Sequence, residues 1–205
     1  MARRSDHSRE ELHELAMRAA REIVETDGYR ALTARNVADA IGYSPGTLYN
    51  LFANLDDMVM RVNGRTLDDL HDRFAEVTTT GDVDRDIGTL LDCYLGFIDE
   101  HAGLWHMLLN YSLSEGYKVP DWYDRKVQRL LGVVEAALAP LFGQSGAHDL
   151  ANGTRVLWAS LHGISALSEA GKLNLVTGQP VREMARSLVI NFIAGVRARS
   201  AERQS

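Results

Sequence analysis

Residues 32–52 read Leu32-Thr-Ala-Arg-Asn-Val-Ala-Asp-Ala-Ile-Gly-Tyr-Ser-Pro-Gly-Thr-Leu-Tyr-Asn-Leu-Phe52. Thr33 stands where an N-cap hydroxyl satisfies the free amides of a short helix, with Val37, Ala38 and Ile41 on one face. Gly42 tolerates the left-handed backbone of a tight turn, and Ser44-Pro45 reads as an N-cap followed by a first-turn proline. Leu48, Leu51 and Phe52 then point inward from a second short helix, leaving Tyr49 and Asn50 outward. Helix, glycine turn, helix is the arrangement that seats its second helix in the major groove of DNA.

The residue types suit that task. Gly46 and Thr47 fall in the first turn of the second helix, where small side chains let the backbone approach phosphates and base edges. Thr47 offers a methyl and a hydroxyl to a thymine, and Asn50 has the donor–acceptor pair that reads adenine. Free amides around Thr33 to Arg35 attract phosphate, and Arg35 adds charge there. Thr33, Arg35, Ser44, Pro45, Gly46, Thr47, Tyr49 and Asn50 are the expected DNA-facing set.

Outward from this stretch the periodicity stays helical. Leu12, Leu15, Ala16, Ala19, Ile23 and Val24 mark one face of a first helix, opened by a Ser8–Glu11 capping box and stopped at Gly28. The spacing predicts further helices near 55–78, 83–100, 104–113, 121–142 and 147–169, and a last one over 180–200. That last helix carries Val181, Met184, Ala185, Leu188, Val189, Phe192, Ile193 and Val196 on one face, with Pro180 in its first turn. Asn54 is the expected cap of the helix from 55, with Asp56 and Asp57 at its positive end. The breaks are 78–82, His101-Ala-Gly103, 116–120, Gly143-Gln-Ser-Gly146 and the loop 171–178. No alternating strand pattern appears, so the fold class is all-α. A helix-turn-helix domain of three helices over 1–53 precedes a larger helical bundle over 54–205.

The stretch from about Arg9 to Met58 resembles the tetracycline-repressor (TetR) family of bacterial transcription regulators. Gly28, Thr33, Val37, Ala38, Gly42, Ser44, Gly46, Thr47, Leu48, Tyr49 and Phe52 fit its pattern, including the Gly-Thr-Leu-Tyr-x-x-Phe close. Two positions depart: the family usually has an aromatic or His at Leu51 and a Lys at Leu55, both commonly against phosphates. Each lost phosphate contact should flatten the salt dependence by roughly 0.9 of a log unit, unless Arg3, Arg4, Arg9, Arg30 and Arg35 compensate. Further on, Leu157-Trp-Ala-Ser-Leu-His-Gly-Ile164 looks like the Trp-His-Gly element of one C-terminal class of the family.

The resemblance implies a ligand-responsive regulator, with repression the expected sign, acting as a homodimer on a palindromic double-stranded DNA operator. It implies dimerisation through the helices near 147–169 and 180–200, where Ala159, Gly163, Ala166 and Gly195 would permit close packing. A small-molecule effector would sit among the middle helices. The candidate lining is Tyr94, Phe97, Ile98, Trp105, Leu108, Tyr111, Trp122, Trp158 and His162, an aromatic-rich set that suggests an apolar or aromatic ligand. His101, His106 and Tyr111 are candidate polar contacts. Each of these residues has an alternative reading as ordinary core or solvated surface.

Composition bounds the rest. The chain has 205 residues, 45% hydrophobic and 24% charged, with 22 Lys+Arg against 28 Asp+Glu and a formal charge of −6. Those values exclude a disordered chain and a bulk polycation. They do not exclude DNA reading, because residues 28–55 carry Arg30 and Arg35 against Asp39 alone. That thin positive charge predicts reliance on helix-end amides and base contacts more than on phosphate neutralisation. Cys93 is the only cysteine, which excludes an intrachain disulfide and favours a cytoplasmic setting. The start, Met1-Ala-Arg-Arg-Ser-Asp, leads into polar residues rather than an apolar signal core. The apolar stretch Leu188 to Val196 is too short for a bilayer, so no membrane association is expected. No metal or cofactor is expected: the His residues are not at ligand spacings, and one Cys cannot build the usual zinc site. Two rival readings are a family-like sensor of ligand or partner with weak or no DNA binding, and a helical enzyme. Against the enzyme, no Walker loop, Gly-x-Gly-x-x-Gly or His-Glu-x-x-His occurs, and Gly163-Ile-Ser-Ala-Leu167 fails as a nucleophile elbow.

Overall fold

The computed structural model describes residues 7–143 and 147–202. Arg3, Arg4 and the break at 143–146 beyond Gly143 lie outside these. Among the described residues the chain is all-α, without strands. The helices are α1 (Arg9–Asp27), α2 (Ala34–Ala40), α3 (Pro45–Tyr49), α4 (Leu55–Ala75) and α5 (Val83–Glu100), then α6 (Ala102–Asn110), α7 (Asp121–Phe142), α8 (Ala147–Glu169) and α9 (Val181–Glu202). Single 3-10 turns stand at Tyr29–Ala31 and Leu173–Leu175.

Two compact units result. One comprises the described residues up to Thr66 with His101–Tyr123, and the other Leu67–Glu100 with those from Asp124 onward. The cuts fall inside α4 and near the start of α7.

In the first unit, α1 opens on the expected capping box: Ser8 Oγ accepts from the Glu11 amide at 3.2 Å, and Glu11 Oε2 from the Ser8 amide at 2.7 Å. The core gathers Met17, Val24, Leu32, Val37, Leu48, Phe52, Met58, Leu104 and Met107. Asn54 caps α4 through the Asp57 amide at 2.8 Å, and Asp57 reciprocates to the Ala53 amide at 3.0 Å. The break expected over His101-Ala-Gly103 shrinks to His101, and α6 runs over 102–110 rather than 104–113. Gly103 falls in the first turn of α6, and the close approach of α1 explains why a glycine stands there: a Cβ would lie 2.5 Å from the Val24 carbonyl oxygen. His101 Nδ1 reaches Glu25 Oε1 at 3.0 Å beside it. At the far end of α6, the Tyr111 hydroxyl donates to buried Asp56 at 2.8 Å.

The second unit buries Leu90, Leu91, Tyr94, Phe97, Leu130, Leu138, Leu157, Val189 and Ile193. The turn before α5 is tied to buried Asp86, which accepts from the Thr80 amide and hydroxyl at 2.8 Å each and from the Gly81 amide at 2.9 Å. These donors hold its carboxyl below the usual carboxylate range. On the exposed side of α5, Asp92 accepts from Arg182 at 2.9 Å and from Arg186 at 2.9 and 3.0 Å. Such exposed pairs add little stability singly, but they set how α9 lies on α5. Pro180 stands one residue before α9, where its carbonyl accepts from the Glu183 amide at 3.0 Å.

Candidate nucleic-acid interface and apolar cavity

Residues 32–52 fold as helix, glycine turn and helix, but α3 ends at Tyr49, so Asn50 is its C-cap and Leu51 and Phe52 follow the helix rather than project from it. Thr33 Oγ1 accepts from the Asn36 amide at 3.1 Å to cap α2, and Gly42 takes φ +75° between the helices. Ser44 differs from expectation. It occupies the N-cap of α3 without a side-chain bond to the free amides, because its hydroxyl pairs with Thr47 Oγ1 at 3.1 Å. Leu48 and Phe52 are buried, while Tyr49 is 62% exposed and Asn50 lies outside with it.

Gly46 is exposed, and a Cβ on it would meet only Ser44 Oγ, at 3.8 Å. The fold itself therefore leaves room for a side chain there. Arg35 is exposed, with Asp39 3.9 Å away. Arg9 donates to the Asn50 carbonyl at 2.9 Å. Leu51 and Leu55 pack against the core of this unit, which explains apolar residues at the two departing positions.

Of the expected effector lining, the structure brings together Tyr94, Trp158 and His162. The Trp158 and His162 rings lie 4.6 Å apart, Tyr94 and Trp158 5.7 Å, and the Tyr94 hydroxyl is 3.4 Å from His162 Nδ1. Burial pushes His162 down to about 4, so the imidazole is neutral at ordinary pH; a hydrogen bond donated to the Trp158 backbone carbonyl opposes the shift. Beside them is a void of about 30 Å³ lined by Phe74, Ile87, Leu90, Leu91, Tyr94, Val134, Leu157, Trp158, Leu161 and Val189. Its aliphatic members carry no distinguishing signal in the sequence, because a cavity-lining leucine and a packed one occupy the same helical positions.

The other candidates lie elsewhere. Phe97 is buried beneath the Arg73 guanidinium, 5.7 Å from its ring, and Ile98 is half-buried. Trp105, Leu108, Tyr111 and Trp122 belong to the first unit. Trp105 is buried there, and Trp122 sits 6.0 Å under Arg61. Burial and the bond to Asp56 push the Tyr111 hydroxyl up to about 12. His101 pairs with Glu25, and the His106 ring lies 5.3 Å from Tyr29. Among the described residues no group of His, Cys, Asp and Glu could hold a metal ion, and no helix is long and apolar enough to cross a membrane.

The family model described as bacterial regulatory proteins, tetR family, matches residues 16–62. The model described as tetracyclin repressor-like, C-terminal domain, matches residues 87–192. No curated protein matches the chain. Among solved structures, it is similar to a protein of unknown function from Rhodococcus sp. RHA1 at TM-score 0.70 and 18% identity, over 95% of this chain and 98% of that one. A tetR-family transcriptional regulator from Streptomyces coelicolor gives TM-score 0.62 and 21% identity over 95% and 83%. FadR from Bacillus subtilis, a transcriptional regulator in complex with stearoyl-CoA, gives 0.66 and 12% over 89% and 98%. At these identities the likeness carries the fold.

Proposed function

Because the chain belongs to the tetracycline-repressor family of transcription regulators, we propose that it is a homodimeric, ligand-responsive repressor of a palindromic operator, released by a small apolar or aromatic effector. The observation that carries the DNA half is the outer surface of α3, where Tyr49 is 62% exposed and Gly46 has open space around it. Residues 1–53 act as the reader and 54–205 as the sensor. Thr47, Tyr49 and Asn50 of both subunits enter successive major grooves, and Thr33, Arg35, Ser44, Pro45 and Gly46 supply the backbone approach to phosphates.

Dimerisation through α8 and α9 is supported by Val156 and Ile190, 51% and 65% exposed, with Ala159 and Gly163 also exposed on α8. The effector half rests on the void beside Tyr94, Trp158 and His162. Pockets for drug-sized ligands begin near roughly 300 Å³, so an effector must repack this core to enter. A ligand that binds only the repacked state has the differential affinity that shifts a conformational equilibrium, and by linkage operator then weakens effector binding. The helix α4 is the lever in this reading. The apolar walls and neutral imidazole suit an uncharged group, such as an acyl chain or aromatic ring.

A family-like sensor with weak or no DNA binding is the second reading, favoured by Leu51 and Leu55 packing inward. Gel shifts with DNA flanking the protein's own gene, run across salt, separate the two. The regulator reading expects a specific complex at low salt that Thr47→Ala with Tyr49→Ala weakens by about tenfold or more per lost base contact, with the oligomeric state unchanged. A double variant that still bound specifically would remove α3 from the interface.

A further inference from the structure

At five residues, Pro45–Tyr49, α3 is too short to hold its shape alone. Ser44 does not cap its amides, so its geometry depends on what grips it from outside. Beyond its last residue, the Asn50 carbonyl accepts from Arg9 Nη2 at 2.9 Å, across 41 positions of sequence. Arg9 is the first residue of α1, and its cation meets the negative end of the short helix, where charge and dipole attract. One turn further along α1, the His13 ring packs on Phe52 with centroids 4.9 Å apart. The start of α1 thus holds the C-cap of α3 by a charged hydrogen bond and the segment just after it by a ring contact.

We propose that Arg9 is a positioning residue for DNA reading: it fixes the end of α3 from which Tyr49 and Asn50 project, and commits its charge to the protein rather than to a DNA phosphate. This rests on α3 being the reading helix. It also withdraws Arg9 from the cations that could offset Leu55.

Arg9→Met keeps the apolar stem and removes charge and donors; Arg9→Lys keeps the charge without the planar fork. Both are compared with the wild type on a duplex that the wild type selects from a random library, and on a scrambled duplex, across salt. Amide exchange over residues 47–52 is followed in the free proteins. Arg9→Met should bind the selected duplex about tenfold more weakly, bind the scrambled duplex like the wild type, keep the wild-type salt slope and exchange faster over 47–52. Arg9→Lys should fall between.

A salt slope shallower by about 0.9, with equal losses on both duplexes, would make Arg9 a phosphate contact and overturn the proposal. So would unchanged exchange and affinity, or a lowered melting temperature with losses on both duplexes alike. If the wild type selects no sequence, the DNA reading fails on its own, and the exchange data still decide whether Arg9 holds the helix end.

Discussion

His162 is pushed by burial from 6.5 to about 4, and the sign of its effect on stability follows from proton uptake. In the unfolded chain this imidazole binds a proton as pH falls through the ordinary value, while in the folded chain it stays neutral until about 4. The unfolded state therefore binds more protons across that window, and acid weakens the fold by about 3 kcal/mol at most. His162→Gln should flatten the fall in urea midpoint between neutral pH and the lower end of the window. Glu14, Asp84 and Asp86, held low by Arg65, Arg197 and the Thr80 backbone respectively, lose their contributions in both proteins and cancel. Equal falls in the two proteins would mean that His162 is solvated. The pairing of Trp158 with His162 was legible from their spacing of four, which puts both on one helix face. Their partner Tyr94, 68 positions from His162, was legible only as an aromatic on another helix.

At the scale of elements, α6 against α1 shows where local reading ends. A Cβ on Gly103 would meet the Val24 carbonyl oxygen at 2.5 Å and Glu25 Cα at 3.0 Å, both backbone atoms with no rotamer to yield. Gly103→Ala should cost about 1–3 kcal/mol through overpacking, read as a lower urea midpoint with unchanged slope. Gly46→Ala meets only Ser44 Oγ, at an ordinary contact distance of 3.8 Å, and should cost nothing in the midpoint, so equal losses would contradict the close packing of α6 on α1. In sequence, Gly103 looked like a helix break because glycine is a poor helix former. Here helix–helix contact outweighs propensity. The caps at Ser8, Thr33 and Asn54 were readable because each bond spans three residues. Ser44 was not, since its hydroxyl had Thr47 as a competing partner at the same separation.

For the whole molecule, the proposed dimer makes a demand that the monomer core does not. Val156 and Ile190 are exposed while Leu157 and Val189 beside them are buried, so each helix has an inner face for its own unit and an outer apolar position that the proposed dimer would cover. Val156→Glu with Ile190→Glu should give a monomer by sedimentation, with helical content retained and operator affinity lost, since two half-sites need two linked readers. A double variant that stayed dimeric would put the interface elsewhere. The net charge of −6 sets no obstacle to the reader, because residues 28–55 lack the acid excess of the rest.

By itself the sequence determined the all-α class, nearly every helix and the helix-turn-helix, because periodicity, caps and glycine turns act over one or two turns of chain. Only the tertiary structure decided that Arg9 grips Asn50, that Leu51 and Leu55 turn into the core, and that Tyr94 and Trp158, with His162 packed on both, border a void while Trp105 and Trp122 do not. Those outcomes depend on which distant side chains compete for the same space and the same hydrogen bond, and no local pattern ranks those competitors.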